Sequence, residues 1–481
     1  MLFNSPAYAV FLLIVFLLYW FVFNKNQRLQ NLFIVLASFF FYGWCDWRFL
    51  FLISFTAACS FMAGLLIEKY RGESRKARAV STLNIVINLL ILGVFKYYDF
   101  FASSFADAFL DGREDRLLLN LALPVGISFY TFKALSYSID VYRGKQEPTH
   151  DVVQFFAFVC FFPQLLAGPI DRATTLLPQF AKPRTFDYET GADGMRQILW
   201  GLFKKVVVAD NCALFVNQVF SNYQTQSGST LLLAAVFFSF QIYGDFSGYS
   251  DMAIGSGKLL GINMMQNFKL PYFSRNIAEF WRRWHISLTS WFRDYVYIPM
   301  GGSRCSKGKI VRNTFVIFLL SGLWHGANWT FIAWGAYHAL LFLPLILMGR
   351  NRRYRDTVAE GKFLPSVKEL GQMLLTFVLV LFGWILFRSD TIGDAWAYFT
   401  RMLQWGTLRA SYRFFTLPEI RFYTVSVMVM LLVEWMWRDG RHSLSKSLLR
   451  YKPLRWGFYV ACGLSVLLFR QDASAFIYFQ F

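Results

Sequence analysis

NTFVIFLLSGLWHGANWTFIAWGAYHALLFLPLILMG, residues 313–349, runs for 37 residues without an Asp, Glu, Lys or Arg. A single bilayer helix needs about 20 apolar residues, so this stretch is long enough to enter a membrane, turn and return. The turn is expected within residues 322–328. Arg312 precedes the run and Arg350, Arg352 and Arg353 follow it, which puts both ends on the cytoplasmic side. The twelve residues from Asn313 to the break rise about 18 Å at helical pitch, against a hydrocarbon core of about 30 Å. His325 is therefore expected in or just past the middle of the membrane. A polar ring at that depth is costly unless it faces a cavity or a partner.

The rest of the chain has the same character. Hydrophobic residues make up 56% of the 481 and the mean hydropathy is +0.39, values of a multi-spanning membrane protein rather than a soluble enzyme. Charge-free windows recur at 6–23, 29–45, 49–67, 152–170, 212–244 and 370–387, with weaker ones at 79–99, 121–142, 421–437 and 456–470. The expectation is an all-α bundle of about 10–12 transmembrane helices, with re-entrant and interfacial amphipathic pieces around a central tunnel. It is read as one domain over 1–481, with N-terminal helices in 1–142, a core in 143–349 and C-terminal helices in 350–481.

The net charge of +19 comes from loops beside apolar spans. Loop 68–80 has five Lys/Arg against two acids, 349–362 five against two, and 438–455 six against one, whereas 99–116 has five acids against two bases. The positive-inside rule accounts for this without nucleic acid, which is not an expected partner. Lys204 and Lys205 are assigned to the cytoplasmic side. The first apolar stretch follows no positive n-region and reads as an uncleaved helix rather than a signal peptide. Six scattered cysteines show no metal or disulfide spacing and are read as packing residues.

Three stretches can carry chemistry. Imidazole titrates near pH 6.5, which suits His325 to act as a general base toward a hydroxyl; a histidine bonded across helices for packing is the alternative. In FWRRWHISLTSWFRDYVYIPMGGSR, residues 280–304, a helical projection sets Phe280, Trp284, Ser287, Leu288 and Trp291 on one side and most charges elsewhere, the pattern of an interfacial amphipathic helix. His285 in that stretch can line the same cavity as His325. QIYGDFSGYSDMAIG, residues 241–255, sets Asp245 and Asp251 in apolar sequence; such carboxylates need partners, here either His285 or Arg282 and Arg283. In VVQFFAFVCFFPQLLAGPI, residues 152–170, Pro163 and Gly168-Pro169 break the helix, and the segment is read as re-entrant or as a kinked span. His338 is read as a packing residue, and His150 and His442 as loop residues. P-loop, HExxH and CxxC patterns are absent. From the residues alone the chain is an intramembrane transferase or a transporter of acyl donors or glycan intermediates.

Five blocks narrow this. LPVGISFYTFKALSYSIDVYRG (123–144), FFPQLLAGPI (161–170), DFSGYSDMAIG (245–255), the run from Asn267 to Arg304 and SGLWHGANWTFIAWGAYH (321–338) together resemble the membrane-bound O-acyltransferase superfamily, in its bacterial alginate O-acetyltransferase branch. The resemblance implies that His325 is catalytic and His285 is a second catalytic residue. It implies a donor such as acetyl-CoA or a similar cytoplasmic acyl thioester, no bound cofactor and no metal. The implied acceptor is a hydroxyl of a cell-envelope polysaccharide: an alginate-like exopolysaccharide, cellulose or peptidoglycan. It further implies a separate extracytoplasmic SGNH or esterase-like partner and a multi-pass location in the bacterial inner membrane, among membrane lipids. Trp324, Asn328, Asp245, Asp251, Arg282 and Arg283 are expected to line the substrate tunnel.

Overall fold

A computed structural model describes residues 1–109, 117–166, 168–404, 417–440, 444, 451–471 and 477. His442, the acidic stretch beyond residue 109 and half of the basic loop 438–455 lie outside them. Among the described residues every regular element is a helix. Five helices among the described residues are long and apolar enough to cross a membrane: Phe49–Lys69, Ser74–Phe109, Gly228–Leu259, Trp329–Leu347 and Val367–Arg388. Other charge-free windows form shorter pieces, such as Pro6–Val22 and Gln27–Gly43. Apolar side chains point outward along the spans, with Phe51 71% and Leu375 62% exposed, as a lipid-facing surface requires.

Polar residues at the breaks stop and start these helices. Ser5, Asn26, Asp151, Asn276, Asn328, Ser366 and Thr391 each accept a backbone N–H of the first turn that follows, satisfying donors that have no intrahelical partner. Ser366 and Glu369 form a reciprocal capping box at the head of Val367–Arg388.

The chain packs as two units. The first comprises Met1–Met195 and Ala253–Met265. In it Ile127–Tyr142 lies against Phe49–Lys69 and Ser74–Leu92, and Gln27–Gly43 against the broken segment. That segment splits into Val152–Val159 and Phe162–Leu165. It is buried in protein from Ala157 to Leu166, the condition under which broken backbone is tolerated in a membrane. The freed carbonyls find a buried cation. Lys133 Nζ donates to Phe158 O at 2.6 Å, Val159 O at 3.3 Å and Gln164 Oε1 at 2.6 Å. Gln164 Nε2 donates to Asp171, whose other oxygen accepts Met265 N at 3.1 Å.

The second unit comprises Arg196–Met252 and Gln266–Phe481 and contains every residue expected at the site. A π-helical turn, Phe203–Ala209, carries Lys204 and Lys205. Both side chains are buried. Lys205 Nζ sits 2.7 Å from Asp210 and 2.7 Å from Asp245, while Lys204 pairs with Asp251. The carboxylates needed cations at that depth, and the lysines of the adjacent π turn supply them.

The apolar run from 313 to 349 is a helical hairpin, with an outgoing helix Lys307–His325 and a return helix Trp329–Leu347. The outgoing helix begins six residues before the uncharged run and is about 28 Å long at 1.5 Å per residue. The two arms cross at glycines. A Cβ on Gly322 would stand 2.1 Å from Phe331 O, and one on Gly335 2.3 Å from Phe318 O. The close approach that these glycines permit is that of the hairpin's own second arm.

Candidate active site

His325 is the last residue of the outgoing helix. Gly326 is extended, with φ −168° and ψ 159°. Asn328 then caps the return helix, its Oδ1 accepting Thr330 N at 2.9 Å and its Nδ2 donating to Asp390 O at 3.0 Å. Asn328 thus anchors the turn that carries His325. The imidazole is 3% exposed and lies edge-on to three aromatic rings: Trp324 at 5.0 Å, Trp334 at 5.1 Å and Phe387 at 5.2 Å between centroids. Trp334 stands in the second turn of the return helix and Phe387 near the end of Val367–Arg388.

The 280–304 stretch departs from the single amphipathic helix expected of it. It forms two short helices, Ile277–Arg283 and Ile286–Phe292, and a π turn, Arg293–Tyr297. The break falls at Trp284 and His285, where His285 takes a left-handed conformation, φ 43° and ψ 54°. The expected apolar side is buried against protein rather than lipid. Trp284 packs 4.8 Å from Trp384 and 5.0 Å from Phe268, and Phe280 lies 5.5 Å from Trp284. At the kink Trp284 and His285 both enter this interior. Left-handed backbone is sparsely populated for residues with a Cβ and clusters at functional sites.

The kink brings His285, 1% exposed, to the same indole that contacts His325: Trp324 lies 5.4 Å from His285 and 5.0 Å from His325, edge-on to each. Two imidazoles that are 40 residues apart in sequence thus pack against one tryptophan. His285 Nδ1 is 3.0 Å from Asn267 Oδ1. His338 is fully buried between Trp281 at 4.9 Å and Trp334 at 5.0 Å, and a Cβ on Gly383 would stand 2.6 Å from its Nε2, the environment of a packing residue.

Neither choice offered for the two carboxylates is taken, since Asp245 and Asp251 pair with lysines. Asp245 also accepts Ile477 N at 2.7 Å, and Asp251 accepts Gln197 Nε2 at 2.7 Å. Arg282 donates to the carbonyls of Asn351 and Tyr354. Arg283 bonds Glu279 at 2.7 Å and Asp356 O at 3.3 Å. Both arginines fasten the loop 351–356 to the Ile277–Arg283 helix. Arg275 closes the same junction, donating to Glu279 at 3.0 Å and Asp356 at 2.9 Å. The Arg275 hydrogen bond holds the Asp356 carboxyl below its ordinary range. Sequence reading did not single out Trp334, Phe387 or Asn267. The first two lie in unremarkable apolar helix, and Asn267 gave no signal beyond heading its block.

Residues 145–382, which include both imidazoles and the tryptophan they share, match the family described as MBOAT, membrane-bound O-acyltransferase family. A protein of Pseudomonas aeruginosa described as "Probable alginate O-acetylase AlgI" is 39% identical over 412 residues, 85% of this chain and 76% of that one. The chain belongs to the membrane-bound O-acyltransferase family. A Pseudomonas putida protein of the same description is 35% identical over 500 residues and the full length of both chains. A peptidoglycan O-acetyltransferase of Helicobacter pylori is 35% identical over 424 residues, 82% of this chain and 78% of that one. As a member of the family the protein is a multi-pass membrane acyltransferase. Membership selects the enzyme over the transporter reading.

Proposed function

We propose that this acyltransferase moves an acetyl group from a cytoplasmic thioester, acetyl-CoA or a similar donor, to a hydroxyl of a bacterial envelope polysaccharide. The observation that carries the proposal is the pair of buried imidazoles that both contact Trp324, inside the segment that matches the family. In the transfer the hydroxyl oxygen attacks the thioester carbonyl carbon, a C–O bond forms and the C–S bond breaks. His325 takes the hydroxyl proton as general base and returns it to the departing thiolate. His285 lines the donor side, and Trp324 packs against both rings. Asn328 sets the His325 turn. Asp245 and Asp251, neutralised by their lysines, stiffen the tunnel wall. Arg282 and Arg283 hold the loop whose exposed Arg352, Arg353 and Arg355 give the donor's phosphates a basic face at the tunnel mouth.

The acetylated polymers named for the relatives are alginate and peptidoglycan, which supports an envelope glycan as acceptor in the inner membrane. An extracytoplasmic esterase-like partner completes delivery. Protein reconstituted in liposomes with its esterase-like partner, acetyl-CoA and a soluble glycan tests the proposal. Free thiol should appear together with ester-linked acetate, and His325→Ala should abolish both. Solute flux without thioester loss would instead establish a transporter.

A further inference from the structure

The surroundings of His285 fix which of its nitrogens carries the hydrogen. Asn267, fully buried, meets three groups through Oδ1: His285 Nδ1 at 3.0 Å, Ser287 Oγ at 2.8 Å and the backbone N of Ser287 at 3.4 Å. A backbone N–H can only donate, so the atom facing it is the amide oxygen. The other end of the amide, Nδ2, donates to Ser250 Oγ at 3.1 Å. An amide oxygen can only accept. His285 Nδ1 therefore bears the hydrogen, and the neutral ring keeps its lone pair on Nε2. That nitrogen is buried and has no hydrogen-bond partner among the described residues, although buried polar atoms are nearly always paired.

Asn267 holds the main chain of the kink as well. Its carbonyl accepts Ile286 N at 2.8 Å, and two residues on, Lys269 N donates to Arg283 O at 2.9 Å. These bonds bracket His285 in its left-handed conformation. Phe246, edge-on at 4.7 Å, and Phe268, stacked at 6.4 Å, fix the plane of the ring.

We infer that Asn267 is a positioning residue, which locks His285 as the Nδ1–H tautomer and aims the Nε2 lone pair at the reactants. A ring so held accepts a hydrogen bond from an N–H or O–H group of the incoming molecule and cannot donate one. The role in turnover rests on the proposed place of His285 in the active site. The tautomer does not, and it can be read without turnover.

The test is solid-state NMR of the full-length protein in lipid bilayers with 13C,15N-labelled histidine. Among five histidines, the resonance of His285 is the one lost in His285→Ala. The wild-type spectrum should show His285 protonated at Nδ1. Asn267→Asp, which keeps an acceptor oxygen, should preserve that signature. Asn267→Leu should move the proton to Nε2 or mix the two forms, and lower acetyl transfer about 10- to 100-fold, the range seen when the partner orienting a metal-bound histidine is removed. A wild-type His285 protonated at Nε2, or an unchanged Nδ1–H signature in Asn267→Leu, would overturn the inference. Should Asn267→Leu fail to fold, the wild-type and Asn267→Asp spectra still decide. Full acetyl transfer by His285→Ala would sink the underlying reading of the site while leaving the tautomer standing.

Discussion

Lys205 shows how much one side chain sustains in this interior. It is the cation between Asp210 and Asp245, all three buried, and a buried charge left without its partner typically costs about 3–5 kcal/mol. Lys205→Met should therefore reduce folded protein in the membrane and lower the melting temperature in detergent. Asp210→Asn, which leaves a neutral pair of Lys205 and Asp245, should do less damage. Sequence reading recognised that the carboxylates needed partners but misplaced those partners. Two adjacent lysines look like loop residues beside an apolar span, whereas the π-helical turn of 203–209 carries both among buried carboxylates. His325 and His285 were legible because each interrupts an apolar or aromatic run. Asn267 was not, because its role depends on a kink at residue 285 that no local pattern announces.

At the scale of elements, the hairpin was the most legible part of the fold. The uncharged run exceeded one span, and the expected break fell where the outgoing helix ends at His325. The tight crossing of the arms gives a sharp prediction. Gly322→Ala or Gly335→Ala places a methyl group against a backbone carbonyl, at 2.1 or 2.3 Å, and overpacking of that kind costs about 1–3 kcal/mol. Thermal unfolding in detergent should show the loss. Gly308→Ala, on the same outgoing helix with no neighbour within 4 Å of its would-be Cβ, should be neutral or slightly stabilising. The 280–304 stretch was misread because a helical projection presumes one straight helix. The broken segment at 152–170 was foreseen from its prolines and glycine, but not the buried Lys133 that satisfies it. Lys133→Met should strand the Phe158 and Val159 carbonyls, a loss of about 1–3 kcal/mol for each buried group left unpaired, visible as reduced membrane abundance.

Across the whole molecule, outward-facing apolar side chains and basic loops beside apolar spans describe a protein adapted to a bilayer, and the pH response should come from its aqueous parts. Asp356 is ionised and bonded to Arg275 when folded, with its carboxyl held below the ordinary range. A depressed carboxyl favours the closed loop above the unfolded value of about 3.9, and that contribution is lost as pH falls through the lower folded value. Hydrogen exchange of residues 351–356, corrected for intrinsic rates, should stay slow from pH 7 down to about 4 and quicken below it. Asp356→Asn should show the faster exchange already at pH 7. The central claim, however, is that His325 performs acyl transfer. The most direct test is ester-linked acetate in the envelope of cells carrying His325→Ala at wild-type membrane abundance. Loss of general-base assistance predicts a fall of about 10² to 10⁴ in transfer rate; acetylation at the wild-type level would contradict the account.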